Sequence, residues 1–205
     1  MELKVPFVRK LKKWKGSGWC GPITLASLLR YYGDKTLVER IVESAGTLKK
    51  GGTPPKGLTF FCLSRGFNIE YLNKYSEVKI NRKRYSKRFK QFLKKVREVS
   101  NDKKFREKCK KFAGYKFIKK EPTLKMIENY IAQKKPVLLY LNIAVVCKVN
   151  KLWPHYVLVV GYDKENFYAH NIYPKNKAYQ KIPKKVFARA WNSDGMDRTL
   201  IVPYK

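Results

Sequence analysis

The sequence predicts an α+β fold, with its 205 residues forming a single domain. Three observations lead there. Apolar residues recur at helical spacing through residues 1–75, a strongly basic stretch with helical periodicity fills 76–120, and runs rich in β-branched and aromatic residues alternate with one helix across 121–205. Helices first and antiparallel strands afterwards make a helical half packed on a sheet, with the basic stretch as an insertion between them.

The elements follow in order. From Cys20, the segment CGPITLASLLRYYG places Ile23, Leu25, Ala26, Leu28 and Leu29 on most faces of a helix, with Gly33 as its stop. Pro22 sits just inside the start, where a missing N–H costs nothing. A short helix is expected at about 36–45, then the turn-rich GTLKKGGTPPKG, a helix in LTFFCLSRG and a strand in FNIEYLN. In residues 76–120, Phe89, Phe92, Leu93, Val96 and Val99 fall at helical spacing among lysines and arginines, predicting one or two amphipathic helices. Beyond it, TLKMIENYIAQKK reads as a helix presenting Leu124, Ile127, Tyr130 and Ile131 on one face. PVLLYLNIAVVCKV, HYVLVVGYD, NFYAHNIYP and TLIVPYK read as strands, with a hairpin turn across residues 161–166.

Composition bounds the function. The chain is 44% hydrophobic and 14% aromatic, enough apolar material for a core, so it is not a disordered polycation. Against 15 Asp+Glu stand 47 Lys+Arg, for a formal charge of +32, and such a field attracts polyanions, whether nucleic acid, anionic lipid or an acidic protein. The four cysteines (Cys20, Cys62, Cys109, Cys147) form no CxxC, and with only two histidines, His155 and His170, clustered zinc ligands are not expected. No apolar run approaches the roughly 20 residues of a membrane span, and the N-terminus lacks the apolar core of a signal peptide. The expected location is the cytoplasm, with the thiols reduced, and no metal or organic cofactor is expected.

Chemistry concentrates at three residues. Cys20 directly precedes a helix, whose unpaired first-turn N–H groups favour a thiolate, and Gly18 and Gly21 flank it. His155 opens the apolar strand YVLVVGY behind Trp153-Pro154, where a polar ring can face a cleft. Asn171 lies on the expected neighbouring strand, within cross-strand reach, as the acceptor that would hold the imidazole. A nucleophile, a base and an orienting group are the minimum for thiol-based acyl transfer.

These segments resemble those of the double-glycine (bacteriocin-processing) peptidase-like branch of the papain-like fold. GWCGPITLASLLRYYG resembles that family's nucleophile helix, in which Cys-Gly-Pro opens the helix and Tyr-Gly closes it. HYVLVVGYDKENFYAHNIYP resembles its His strand, turn and following strand bearing Asp or Asn. GTPPKGLTFFCLSRGF, TLKMIENYIAQKKPVLLYL and IPKKVFARAWNSDG match segments that surround the cleft or complete the sheet. The resemblance implies a papain-like cysteine peptidase or amidohydrolase acting on a peptide or protein substrate, with Cys20 as nucleophile, His155 as base and Asn171 as orienting residue. The family places a Gln five or six residues before the nucleophile to hold the oxyanion, where this chain has Lys15 and Trp14. Lys15 is then the expected substitute donor, with Trp14, Trp19 and Gly21 as further oxyanion or cleft residues. The alternative is a binding module that keeps the fold while its insertion grips nucleic acid or an acidic protein through Arg82, Arg84, Arg88, Lys94 and Lys95.

Overall fold

The computed structural model describes residues 1–14, 18–48, 52–74, 103–193, 196 and 198–205. The nucleophile-bearing segment forms helix α1 (Cys20–Tyr31), buried from Gly21 through Leu29 as its nearly all-round apolar pattern requires. It is followed by α2 (Val38–Ser44) and α3 (Pro55–Ser64). Strand β1 (Asn68–Asn73) then enters the sheet. Helix α4 (Lys103–Lys110) buries Phe105 and Cys109 against α3. Next come β2 (Tyr115–Lys119) and α5 (Leu124–Ala132), whose first turn is capped by the Thr123 hydroxyl accepting from Met126 N–H at 3.3 Å.

Beyond α5 the expected strands are present, with one departure. β3 (Val137–Asn142) stops where the apolar run continues, because the Asn142 side chain accepts from the N–H groups of Ala144 at 3.3 Å and Trp153 at 2.8 Å. That cap turns Ile143–Val146 into a single helical turn, α6, where sequence alone predicts extended chain. β4 (Pro154–Tyr162) and β5 (Asn166–Asn171) form the expected antiparallel pair, followed by β6 (Lys177–Pro183), α7 (Lys184–Trp191) and β7 (Leu200–Tyr204).

The strands lie in one seven-stranded sheet in the order β2-β1-β7-β3-β4-β5-β6. Its pairings are antiparallel except for β1 with β2, so the sheet is mixed where a purely antiparallel one is expected. β2 also places a strand at 115–119, inside the stretch expected to be a helical insertion; residues 76–102 of that stretch lie outside the described residues. Central β3 is buried at every position, as its unbroken VLLYLN requires when both faces are covered. Helices α1 and α5 pack on β4, and α7 packs on β3. Phe187 of α7 meets Phe167 of β5 at 4.8 Å between ring centroids.

The N-terminal residues form a strap that the sequence does not advertise. Leu3 N–H donates to Val160 O at 2.7 Å, and Tyr162 N–H donates to Met1 O at 2.8 Å, so the strap begins against the far end of β4. Gly161 permits this, since a Cβ there would lie 2.7 Å from Met1 O. Leu3, Val5 and Val8 are then buried in turn, and Val8 N–H donates to Ser27 Oγ of α1 at 2.9 Å. The strap thereby runs from the outer sheet to the helix that carries Cys20.

Candidate active site

Cys20 is the first residue of α1, preceded at the N-cap by Trp19, which supplies no side-chain acceptor. The first-turn N–H groups therefore stay open towards the sulfur. Gly21 lets this turn press onto β4: a Cβ there would lie 3.0 Å from Leu58 Cδ1 and 3.1 Å from Tyr156 Cδ2. The Thr24 hydroxyl donates to Tyr156 O at 3.4 Å one turn later, and Tyr156 anchors its own hydroxyl on Thr53 O at 3.1 Å. The Cys20 sulfur consequently sits against the backbone N–H of Tyr156, the residue next to His155.

His155 is buried, and among the described residues its Nε2 has no hydrogen-bond partner. Tyr173 stands 5.7 Å away between ring centroids, and Trp153 stacks on Tyr173 at 4.2 Å. Asn171, at the end of β5, is fully buried. Its amide donates to Tyr173 O at 2.6 Å and Gln180 Oε1 at 2.8 Å, and its oxygen accepts from Tyr173 N–H at 3.0 Å. So fixed, the amide lies near enough to the His155 imidazole to favour its protonated form.

The electrostatics differ from a preformed ion pair. Burial pushes the Cys20 thiol above its usual range, outweighing hydrogen bonds from the backbone of Tyr156, Gly21 and Cys20 itself and the field of Lys10. The helix start thus acts in the expected direction, but desolvation is stronger. Burial pulls His155 down to about 3, the Lys10 charge adds to that, and the Asn171 side chain opposes it. Both shifts favour the neutral forms, a thiol at Cys20 and an imidazole at His155. An unprotonated imidazole is the form that can accept a proton.

The other sequence-predicted site residues fare differently. Trp19 is half-buried and packs on Trp14 at 5.7 Å between ring centroids. Trp14 is buried and its indole bonds the Glu39 carboxylate, so its N–H is committed away from Cys20. Gly21 serves the close approach of α1 to β4. Lys15, Arg82, Arg84, Arg88, Lys94 and Lys95 lie outside the described residues. Sequence reading missed Lys10, whose charge acts on both Cys20 and His155, and Gln180, which grips Asn171. Among the described residues no group of three or more His, Cys, Asp or Glu could hold a metal ion, and no helix is long and apolar enough to cross a membrane.

A cysteine at the start of a helix is thus set against a strand whose second residue is histidine. Residues 2–197 match the model of the Peptidase_C39 like family, and the chain belongs to that family. Solved structures with similar folds include a double glycine motif protease from an AMS/PCAT transporter, crystallised with the leader peptide. It is 15% identical with a TM-score of 0.54, over 98% of this chain and 92% of that one. A Bacillus anthracis protein assigned as a C39-like peptidase is 13% identical with a TM-score of 0.61, over 100% and 98% of the two chains. The peptidase domain of Streptococcus ComA, a bifunctional ABC transporter of a quorum-sensing pathway, is 16% identical with a TM-score of 0.52, over 98% and 96%. No curated protein sequence matches.

Proposed function

We propose that the chain is a cysteine peptidase or amidohydrolase in which Cys20 is the nucleophile, His155 the general base and Asn171 the residue that orients it. The observation carrying this reading is the placement of the Cys20 sulfur against the backbone next to a buried imidazole whose Nε2 has no partner. Buried polar atoms are nearly always paired, and one left open beside a thiol fits a group waiting for a transferable proton.

In the proposed cycle His155 takes the Cys20 proton as sulfur attacks the substrate carbonyl carbon. The carbonyl becomes a tetrahedral oxyanion, whose collapse breaks the C–N bond. The imidazolium gives its proton to the departing amine, leaving a thioester on Cys20. Water then attacks that thioester while His155 removes its proton, and the acid leaves with the thiol restored. A peptide is the proposed substrate class, supported by family membership and by the leader peptide bound in one structural neighbour.

Labelling tests this. Burial holds the Cys62 thiol very high and the Cys109 thiol at about 12, so both should stay inert to iodoacetamide. Cys20 should be alkylated, and His155→Ala should slow that labelling at least about tenfold by removing the base while leaving the half-buried Cys147 unaffected. Labelling of Cys20 that is indifferent to His155 would overturn the assignment.

A further inference from the structure

Lys10 lies where the strap reaches the site, and both ends of its peptide geometry are fixed. Its N–H donates to Asn176 Oδ1 at 2.8 Å and its carbonyl accepts from Asn176 Nδ2 at 3.1 Å. Asn176 belongs to the connection between β5 and β6, just beyond Asn171 and Tyr173. Two residues earlier the strap is tied to α1 through Val8 and Ser27. Lys10 is therefore clamped between the helix that carries Cys20 and the loop that backs His155. It is half-buried, and its ammonium makes no ion pair or hydrogen bond with any described residue. A cation that the fold leaves without a counter-charge at the edge of a reactive site is available to negative charge that develops there during a reaction.

We propose that Lys10 supplies the positive charge that stabilises the anion formed at this site, first on the Cys20 sulfur and then on the oxygen of the attacked carbonyl. The assignment rests on the peptidase reading and stands beside the sequence expectation for Lys15, which lies outside the described residues. Attack turns a neutral thiol, imidazole and carbonyl into an imidazolium and an oxyanion, with no net change in charge. A cation carried to the sulfur on a clamped backbone lowers the energy of the negative partner in surroundings where water contributes little. The same field makes the imidazolium a stronger acid, which speeds delivery of its proton to the departing amine. Both effects agree with the direction in which Lys10 moves Cys20 and His155. Asn176 grips only the backbone of Lys10, so the side chain can be exchanged with the strap in place.

The experiment uses the whole chain and two small probes: p-nitrophenyl acetate, whose burst of p-nitrophenolate reports acylation, and iodoacetamide, whose pH profile at Cys20 reports thiolate formation. Lys10→Met should lower the burst rate about 100- to 1000-fold and move the alkylation midpoint to higher pH. Lys10→Arg, which keeps the charge, should hold the midpoint near that of the parent chain. If Lys10→Met does not fold, Lys10→Gln carries the same alkylation comparison. A Lys10→Met protein that matches the parent in burst rate and midpoint overturns the proposal. A parent chain giving neither burst nor Cys20 labelling overturns the peptidase reading beneath it, and the proposal with it.

Discussion

The two histidines occupy adjacent strands, fifteen positions apart, in opposite chemical circumstances. His170 is satisfied at both ring nitrogens: Nε2 meets Val5 O at 2.8 Å and Nδ1 accepts from Tyr179 N–H at 3.2 Å. That pattern fixes the neutral tautomer with its proton on Nε2, and edge contacts with Phe7 at 5.1 Å and Tyr179 at 4.7 Å complete the packing. His155 is also buried, but among the described residues its Nε2 has no partner, and the charge of Lys10 acts on it and on Cys20. Burial alone does not separate a structural histidine from a working one. The separation lies in whether every polar atom is already matched.

Exchanging each ring in turn gives the sharpest contrast. His155→Ala should lower the acylation rate by about 10⁴-fold or more, since it removes the proposed base, while the folded chain persists. His170→Phe should do the reverse. It strands Tyr179 N–H in the interior and takes one of two donors from Val5 O, which keeps the Tyr179 hydroxyl at 3.1 Å, costing about 1–3 kcal/mol in urea unfolding. Molecules that remain folded should keep most of their rate. A His170→Phe protein that is stable but inactive would break the distinction.

Acid should expose what the rings share. Both have folded-state pKa values below the unfolded value of 6.5, in each case chiefly through burial, His155 reaching about 3. Above pH 6.5 neither state takes up extra protons, so these groups contribute no pH dependence there. Below it the unfolded chain binds protons that the native chain refuses, and stability falls as pH falls, by about 1.4 kcal/mol per pH unit for each ring still neutral. The loss through His155 should continue to about pH 3, whereas His170→Phe should shed its own share of the slope. Urea midpoints measured from pH 8 to pH 4 will show whether stability declines in this window or stays flat.

What could be read from sequence follows the range of the interactions. The α1 start, the Cys20 position and the His155 strand are written in local signals: a glycine-proline opening, helical spacing, and an apolar run behind Trp153-Pro154. Asn171 follows from the hairpin, a short-range pairing. Lys10 was hidden because its position depends on Asn176, more than 160 residues away in sequence. β6 was hidden because an edge strand holding Lys177 and Lys181 lacks the alternation that marks a half-buried one, and Gln180 was lost with it. The turn at α6 lay inside an apolar run, where hydrophobicity cannot show that Asn142 will cap.

Gln180 offers the finest adjustment of the contrast, because it touches neither histidine. On β6, beside a bulge where register shifts between Ala169 and Asn171, its Oε1 takes one of the two Asn171 amide protons at 2.8 Å. Gln180→Ala leaves the bonds between Asn171 and Tyr173 in place, so the amide keeps its position but gains freedom to rotate. Small losses of alignment at a reacting centre are expensive, and the acylation rate should fall about tenfold with little change in melting temperature. Gln180→Glu keeps an acceptor at the same reach and should recover most of that loss. If Gln180→Ala lowers stability in the manner of His170→Phe yet leaves the rate untouched, Gln180 belongs with the structural histidine, and Asn171 is held well enough by Tyr173 alone.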